Sequence, residues 1–392
     1  MTLADRCSRI ASFYVLEVMA QVEALEQSGV DVIRAFIGEP DFPTPAAIVA
    51  EAVRALQTHN LGYTSSTGVP ALKQAIAERY QRWHGLSLNP QRIIVTPGGS
   101  AALHVAFLAT LNSGDEVLLP EPGYPCNGNI LQMVNATGIS VNMDPEQDMR
   151  LSLSALAAAL TPRTKALLIA SPNNPLGSVL TPTQWQALVD FCRTHQLHLL
   201  ADEIYHGLTF ADQACSALEV EPEAWVIQSF SKFYGMTGWR LGWLVVPEYA
   251  IDACARIAQN LYLSAPTVAQ IAALAGFSPE VEASCFARRD ELRARRDYLL
   301  HALPALGFRV WGQPEGAFYL YLDVSRYSAN AEDFCRDLLL QTGIALTPGV
   351  DFGGPCPSTS VRFAYTSDLA RLREAIRRLT DYCQHSALRP VE

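Results

Sequence analysis

The stretch Ala224-Trp-Val-Ile-Gln-Ser-Phe-Ser-Lys232-Phe-Tyr-Gly-Met-Thr-Gly-Trp-Arg240 decides how the rest of the chain is read. Its apolar beginning, Ala224 to Ile227, predicts a buried strand. The strand runs into a hydroxyl-rich turn that presents Lys232, and a glycine-rich turn then leads to Arg240. The lysines are Lys73, Lys165 and Lys232; every other cation in the Lys+Arg total of 29 is an arginine. Arginine serves wherever a fixed charge is enough, but only lysine yields a neutral amine near working pH. An amine at the mouth of a strand, beside hydroxyls and an arginine, suits Schiff-base formation with a carbonyl. The neighbours would hold a phosphate of the same molecule.

Composition bounds the alternatives. The chain has 392 residues, room for two domains of ordinary size, and its 49% hydrophobic and 17% charged residues mark a well-buried globular protein. A net charge of −10 lacks the basic stripe that nucleic acid requires as main partner. Nine scattered cysteines, with no Cys-x-x-Cys pair, point to a reducing compartment and to no metal site. Met1 to Ile10 carries charges without an apolar core, so no secretory signal is expected. No apolar run reaches the ~18 residues of a membrane span. The expected setting is soluble and cytoplasmic.

Outward from the lysine stretch, a rhythm of strand, polar end and helix repeats. Strands are predicted at 32–37, 92–96, 116–120, 139–143, 164–170 and 197–201, and helices at 12–27, 46–56, 70–83, 154–160 and 184–194, with a further apolar helix running from the Pro97–Ala102 stretch to about Leu111. Apolar strands separated by helices predict an α/β protein with a mostly parallel sheet covered on both faces. Such sheets bind ligands beyond the carboxyl ends of their strands. There lie Gly98 to Ser100, Asn174, Asp202, Tyr205, Ser229 and Lys232. Strand, Pro97-Gly-Gly-Ser100, then helix is an anion site by construction, because free N–H groups and the helix dipole face the ligand. Gly38 to Pro45 has three prolines in eight residues and reads as a rigid crossing segment. A long helix from Pro279 to Leu303 leads to a smaller α+β region, with strands at 307–310, 316–322 and 360–364 and helices at 331–341 and 368–383. Arg362, flanked by apolar residues, is either an edge-strand cation or a buried carboxylate fork.

Nine motifs fall in order: Gly38-Glu-Pro-Asp-Phe, Tyr63 with Gly68, Gly98-Gly-Ser-Ala-Ala, Glu121-Pro-Gly-Tyr124-Pro, Ser171-Pro-Asn-Asn-Pro-Leu-Gly, Ala201-Asp-Glu-Ile-Tyr205, Ser229-Phe-Ser-Lys232 through Arg240-Leu-Gly242, Gly316-Ala-Phe-Tyr and Val361-Arg362-Phe. Together they resemble the class I and II aminotransferases, pyridoxal-phosphate enzymes of fold type I, over essentially the whole length. The resemblance implies a large domain with a mostly parallel seven-stranded sheet at 46–285 and a small C-terminal domain at 286–392, which the segment 1–45 joins. It implies an enzyme that moves the amino group of an L-amino acid to a 2-oxo acid. Lys232 would hold the cofactor as a Schiff base and shuttle the proton. Asp202 would face the pyridine nitrogen. Tyr205 and Asn174 would bond the ring's phenolic oxygen, and Tyr124 would stack on the ring. Arg240, Ser229, Ser100 and the backbone at Gly99 and Ala101 would bind the phosphate. Tyr63 would reach the neighbouring subunit's phosphate, which implies a homodimer with shared sites. Arg362 would grip the substrate carboxylate, helped by Asn174 and the backbone of Gly38.

The sequence departs from the dicarboxylate-specific members. One subgroup has a lysine just after the Gly-Gly pair, where this chain has Ser100; another has an arginine near Ser264 to Thr267, where none occurs. A neutral amino donor is therefore expected: alanine, or a branched or aromatic amino acid. A β-C–S lyase of the same fold is the alternative, since the motifs round Lys232 are shared. A regulatory module with an upstream DNA-binding domain has no room before Phe36, and the Gly-x-Gly-x-x-Gly fingerprint of a nicotinamide oxidoreductase is absent.

Overall fold

A computed structural model describes residues 2–211 and 214–386. After the short β1 (Ile33–Arg34), seven strands build one sheet: β2 (Ile93–Thr96), β3 (Glu116–Glu121), β4 (Thr137–Asn142), β5 (Thr164–Ala170), β6 (His198–Asp202), β7 (Trp225–Ser229) and β8 (Gly242–Val245). Their order is β2-β8-β7-β6-β5-β3-β4. Only β8 runs against its neighbours, β2 and β7; the other pairs are parallel. The expected mostly parallel, seven-stranded sheet is thus present. Alternate residues serve its two faces. Ile94, Leu168, Leu200 and Ile227 pack under the helices on one side, and Val95, Leu167, Leu199 and Val226 on the other. Each such side chain contributes roughly 1.5–3 kcal/mol when fully buried.

A second sheet collects β9 (Arg309–Trp311), β10 (Tyr319–Asp323), β12 (Thr347–Pro348) and β13 (Ser360–Ala364) in the order β12-β13-β10-β9. Between them, β11 (Ile344–Ala345) pairs in parallel with β1, which ties the N-terminal segment to this C-terminal region. The 27-residue helix Pro279–Ala305 links the two sheets. Ser278 caps it, with Pro279 at its first position and two glutamates in the first turn, all favourable to a helix start. The boundary expected at 285/286 falls inside this helix.

The proline-rich segment is pinned on both sides. Thr44 Oγ1 donates to Gly235 O (2.7 Å) and accepts from Trp239 Nε1 (2.9 Å), which fixes it to the loop that carries Lys232. Buried Arg295 of the long helix donates to Asp41 (2.8 Å) and to Thr366 O (2.7 Å). A rigid strap therefore spans both sheets at the level of the lysine.

Several elements depart from expectation. The strand predicted at 32–37 is laddered only at Ile33–Arg34. The helices Cys126–Met133, Ile251–Leu261 and Thr267–Ala273, and strand β8, are additional. β8 begins at Gly242, directly after the glycine-rich turn, so its four residues read as the tail of that turn. Its register matters for the site. A Cβ on Gly242 would lie 2.7 Å from Gln228 O, 2.8 Å from the carbonyl carbon of Gly98 and 3.0 Å from Gly99 N, all backbone atoms. The substitution Gly242→Ala must displace the start of helix Gly99–Thr110. Expected are a stability loss of about 1–3 kcal/mol in urea melts and weaker affinity for phosphate-bearing ligands. An unchanged midpoint and affinity would contradict this packing.

Candidate active site

The carboxyl ends of β2, β5, β6 and β7 meet the start of the proline-rich strap, and the predicted residues gather there. Lys232 lies three residues past the fully buried β7. Its Nζ donates to Gly38 O at 2.7 Å. Burial pushes the ammonium down to about 8; Glu39 opposes the shift, and Arg362 and Arg240 add to it. Asp202 ends β6 and is buried, with Oδ1 accepting the Ile204 N–H at 3.3 Å. Burial pushes its carboxyl up to about 6, against the pull of the Ile204 N–H and Lys232. Both groups are thus held away from their usual ranges by desolvation, a pattern typical of reactive sites.

Opposite them stands Arg362, in β13 between β10 and β12. It is 4% exposed, so the edge-strand alternative is excluded. Its Nη1 donates to Asn174 Oδ1 (3.0 Å) and its Nη2 to Phe36 O (2.7 Å). Its guanidinium lies 4.3 Å from the Tyr319 ring centre and 4.8 Å from that of Phe352. A buried cation held by neutral dipoles and ring faces, with Nε lacking a protein partner, is suited to a carboxylate ligand.

The strand, glycine turn and helix expected at 92–111 are present: helix Gly99–Thr110 begins right after the turn, so the backbone N–H groups of Gly99, Ser100 and Ala101 belong to its first turn, a cradle for an anion. Gly98 has φ +86°, and a Cβ there would lie 2.5 Å from Arg240 Nη2. The guanidinium is pressed against the cradle. Arg240 itself adopts φ 52°, at a cost of about 1–2 kcal/mol for a side-chain-bearing residue. Its Nη1 donates to Thr237 O, while Ser229 Oγ accepts from Ser231 N at 3.0 Å. One phosphate-sized anion facing Ser100, Ser229 and Arg240, with an amine and an acid beyond it, fits a phosphorylated aldehyde such as pyridoxal phosphate.

Tyr205 is buried, and its hydroxyl lies 3.0 Å from that of Tyr319. Tyr319 closes the Gly316-Ala-Phe-Tyr motif, and the motif by itself gives it no role. It also explains Gly38, where a Cβ would lie 2.6 Å from the Tyr319 oxygen. Tyr124 is half-buried, edge-on to Phe13 with ring centres 6.3 Å apart. Tyr63 is the exception. It is 85% exposed and makes no side-chain hydrogen bond to the gathered residues. Its loop is tied instead to the segment after Ser264, through Thr267 Oγ1 to Gly62 O (2.8 Å) and Gln270 Nε2 to Thr64 Oγ1 (3.0 Å).

Comparisons with known proteins agree over almost the full length. The family model for aminotransferase class I and II matches residues 30–379. A valine–pyruvate aminotransferase of Mycobacterium tuberculosis is 34% identical over 372 residues, covering 94% of this chain and 96% of that protein. An aspartate/prephenate aminotransferase of Thermus thermophilus is 34% identical over 379 residues, covering 96% and 97%. Among solved structures, an aminotransferase from M. tuberculosis superposes with TM-score 0.95 at 34% identity, covering 98% of this chain and 100% of that one.

The lowered ammonium of Lys232 makes a pH prediction. Only the neutral amine attacks an aldehyde, and its fraction grows as pH rises through the pKa. The rate at which cofactor-free protein captures pyridoxal phosphate, followed by absorbance, should therefore climb through a midpoint near 8. A midpoint near the ordinary 10.5 would contradict the burial argument.

Proposed function

The chain belongs to the class I and II aminotransferases, and on that premise we propose which residues do the work and which amino donor they favour. The protein is a pyridoxal-phosphate-dependent aminotransferase, and the lyase alternative is not favoured. Bound pyridoxal phosphate supplies an electron sink for charge developing at the substrate Cα.

The residues of the chain would then divide the labour. Lys232 would hold the cofactor covalently, and its released Nζ would carry the proton away from the substrate Cα. Its lowered pKa leaves more neutral amine to accept that proton near neutral pH than an ordinary lysine would have. Asp202 would sit at the ring nitrogen and hold a proton there; its own carboxyl, raised by burial, gains from a cationic partner. Tyr205 and Asn174 would orient the ring's phenolic edge, and Tyr124 would cover a face. Gly99, Ser100, Ala101, Ser229 and Arg240 would bind the phosphate. Arg362 would take the substrate α-carboxylate, and the same carboxylate would satisfy its unpartnered Nε.

The donor is read as an amino acid with an uncharged side chain. The carrying observation is the sequence at the two positions that hold a cation in the dicarboxylate-specific members; Arg362 and Arg240, which both act on Lys232, are already assigned. Ser100 stands after the glycine pair, and Ser264-Ala-Pro-Thr267 offers no cation. The M. tuberculosis relative named for valine and pyruvate supports this reading; the relatives named for aspartate are its competitors.

We further propose a homodimer in which Tyr63 completes the partner's phosphate site. Support comes from the exposure of Tyr63, on a loop whose Gly62 O accepts from Thr267 Oγ1 and whose Thr64 Oγ1 accepts from Gln270 Nε2. The proposed domains are 46–285 and 286–392, with 1–45 joining the latter. A cytoplasmic location is supported by nine cysteines in thiol form.

Turnover on alanine, leucine, phenylalanine and aspartate tests the donor; the neutral donors should lead, and a strong aspartate preference would refute the reading. Arg362→Gln should lower kcat/KM roughly ten- to hundredfold for every donor, the worth of a hydrogen bond to a charged group. A variant with full kcat/KM would remove Arg362 from the site.

A further inference from the structure

The turn that carries Asp202 and Tyr205 holds two further titratable side chains, Glu203 and His206, buried at 0% and 2% exposure. Glu203 Oε1 accepts the Ala217 N–H at 2.7 Å and the Ser216 hydroxyl at 3.0 Å. Its Oε2 faces His206 Nδ1 at 3.3 Å, and that nitrogen has no other partner. The His206 ring packs on that of His84, centres 5.7 Å apart, at the end of helix Pro70–His84. His84 Nδ1 lies 2.8 Å from Glu219 Oε1, which also accepts the Ser216 N–H at 2.8 Å. These contacts close a ring through Glu203, His206, His84, Glu219 and Ser216. The ring is joined to the site by backbone. Glu203 N–H donates to Ile227 O of β7, and His206 N–H to Glu203 O, both at 2.9 Å. Asp202 O accepts the Ser171 N–H at 3.0 Å, three residues before Asn174. A Cβ on Gly207 would lie 2.5 Å from the ring of Phe233, the residue after Lys232. A shift of Glu203 or His206 would therefore carry Asp202 and Tyr205 with it.

Charge decides how the pair is held. The titratable groups round it are Asp202 and Tyr205 on its own turn, Arg79, Tyr80 and His84 on helix Pro70–His84, and Cys215 and Glu219 on the segment with Ser216. Arg79 stacks 3.7 Å over the Trp83 ring with Nε and Nη1 unpaired. It is the weakest of the groups that favour an ionised Glu203, after the Ala217 N–H, Ser216 and Gln228. Burial outweighs all four and pushes the Glu203 carboxyl up to about 8. Burial, then the charges of His84 and Arg79, hold His206 well below the usual imidazole range, against the pull of the Ser171 backbone. A neutral acid beside a neutral imidazole satisfies Nδ1 in one way: the carboxyl O–H donates to it. An ionised Glu203 would instead set a second carboxylate beside Asp202, and like charges disfavour each other.

We propose that Glu203 and His206 act as one positioning pair, a neutral carboxyl donating from Oε2 to His206 Nδ1, which fixes the turn bearing Asp202 and Tyr205 without adding a negative charge beside Asp202. The inference rests on the reading that Asp202 and Tyr205 face the cofactor ring. Neither member of the pair touches cofactor or substrate; both act through the turn.

Holoenzyme variants test the pair through kcat and through the pH midpoint of the cofactor absorbance, which reports the groups round the ring. Glu203→Gln keeps an acceptor for Ala217 and offers Nδ1 an N–H, so both readouts should stay as they are. Glu203→Leu should lower kcat roughly tenfold, the worth of one hydrogen bond. It should also move the midpoint in the direction that Asp202→Asn moves it. His206→Phe, which keeps a ring against His84, should do the same, and the double variant should lose no more than either single change. The infrared spectrum of the unaltered enzyme at neutral pH should contain a protonated-carboxyl band that Glu203→Gln lacks. Circular dichroism establishes folding; if Glu203→Leu does not fold, Glu203→Gln and the infrared band decide. Absence of that band, or a Glu203→Gln enzyme as impaired as His206→Phe, would make the pair ionic and overturn the proposal. A less stable Glu203→Leu enzyme with an unmoved midpoint would show a merely structural role and overturn it too. Additive losses in the double variant would separate the two residues, with the same result. If Asp202→Asn itself changed neither turnover nor absorbance, the placing of Asp202 at the ring would fall, and this inference with it.

Discussion

Keeping a charged ammonium inside protein is unfavourable, and that constraint organises the whole site. Lys232 is half-buried, donates to the Gly38 carbonyl and feels the guanidiniums of Arg362 and Arg240, so a cation there is poorly solvated. Its proton is loosely held, so the side chain is poised to become a nucleophile. Asp202 faces the opposite problem: a carboxylate buried at the end of β6 gains from any positive partner. The two strains are complementary. A ligand that takes the amine covalently and offers the acid a protonated ring nitrogen relieves both at once.

The surrounding fold explains how such strain is tolerated. Strands β6 and β7 are buried on both faces, so their ends are rigid platforms. The proline-rich strap is fastened to the lysine loop through Thr44 and to the long helix through Arg295 and Asp41. Gly38, Lys232 and Arg362 come from three distant parts of the sequence. The pairing of β1 with β11, the placement of β13 inside the second sheet and the Ala364 N–H to Ala35 O bond bring Arg362 to face the large sheet. The strained φ of Arg240 is likewise held in place by Gly98, which leaves room for the guanidinium.

Much of this was legible in the sequence, for identifiable reasons. Strands Thr164–Ala170 and Ser360–Ala364 have apolar runs bounded by polar or turn residues, and their limits match the structure. Lys232, Asp202 and the Gly98–Ser100 turn declare themselves by sitting just past such runs. β8 was hidden because a four-residue strand after a glycine-rich turn has too little periodicity to register. Tyr319 was hidden because its role depends on a contact with Tyr205 across 114 positions. Tyr63 was visible as part of a motif, yet its surface position gives it no work within a single chain.

The scarcity of lysine gives the account its most direct check. Borohydride reduction of the holoenzyme fixes the cofactor to whichever amine carries it, and peptide mass mapping then locates the modified residue. The account predicts a phosphopyridoxyl group on Lys232 alone. Modification of Lys73 or Lys165 in its place, or a fully active enzyme with no modified lysine, would contradict it.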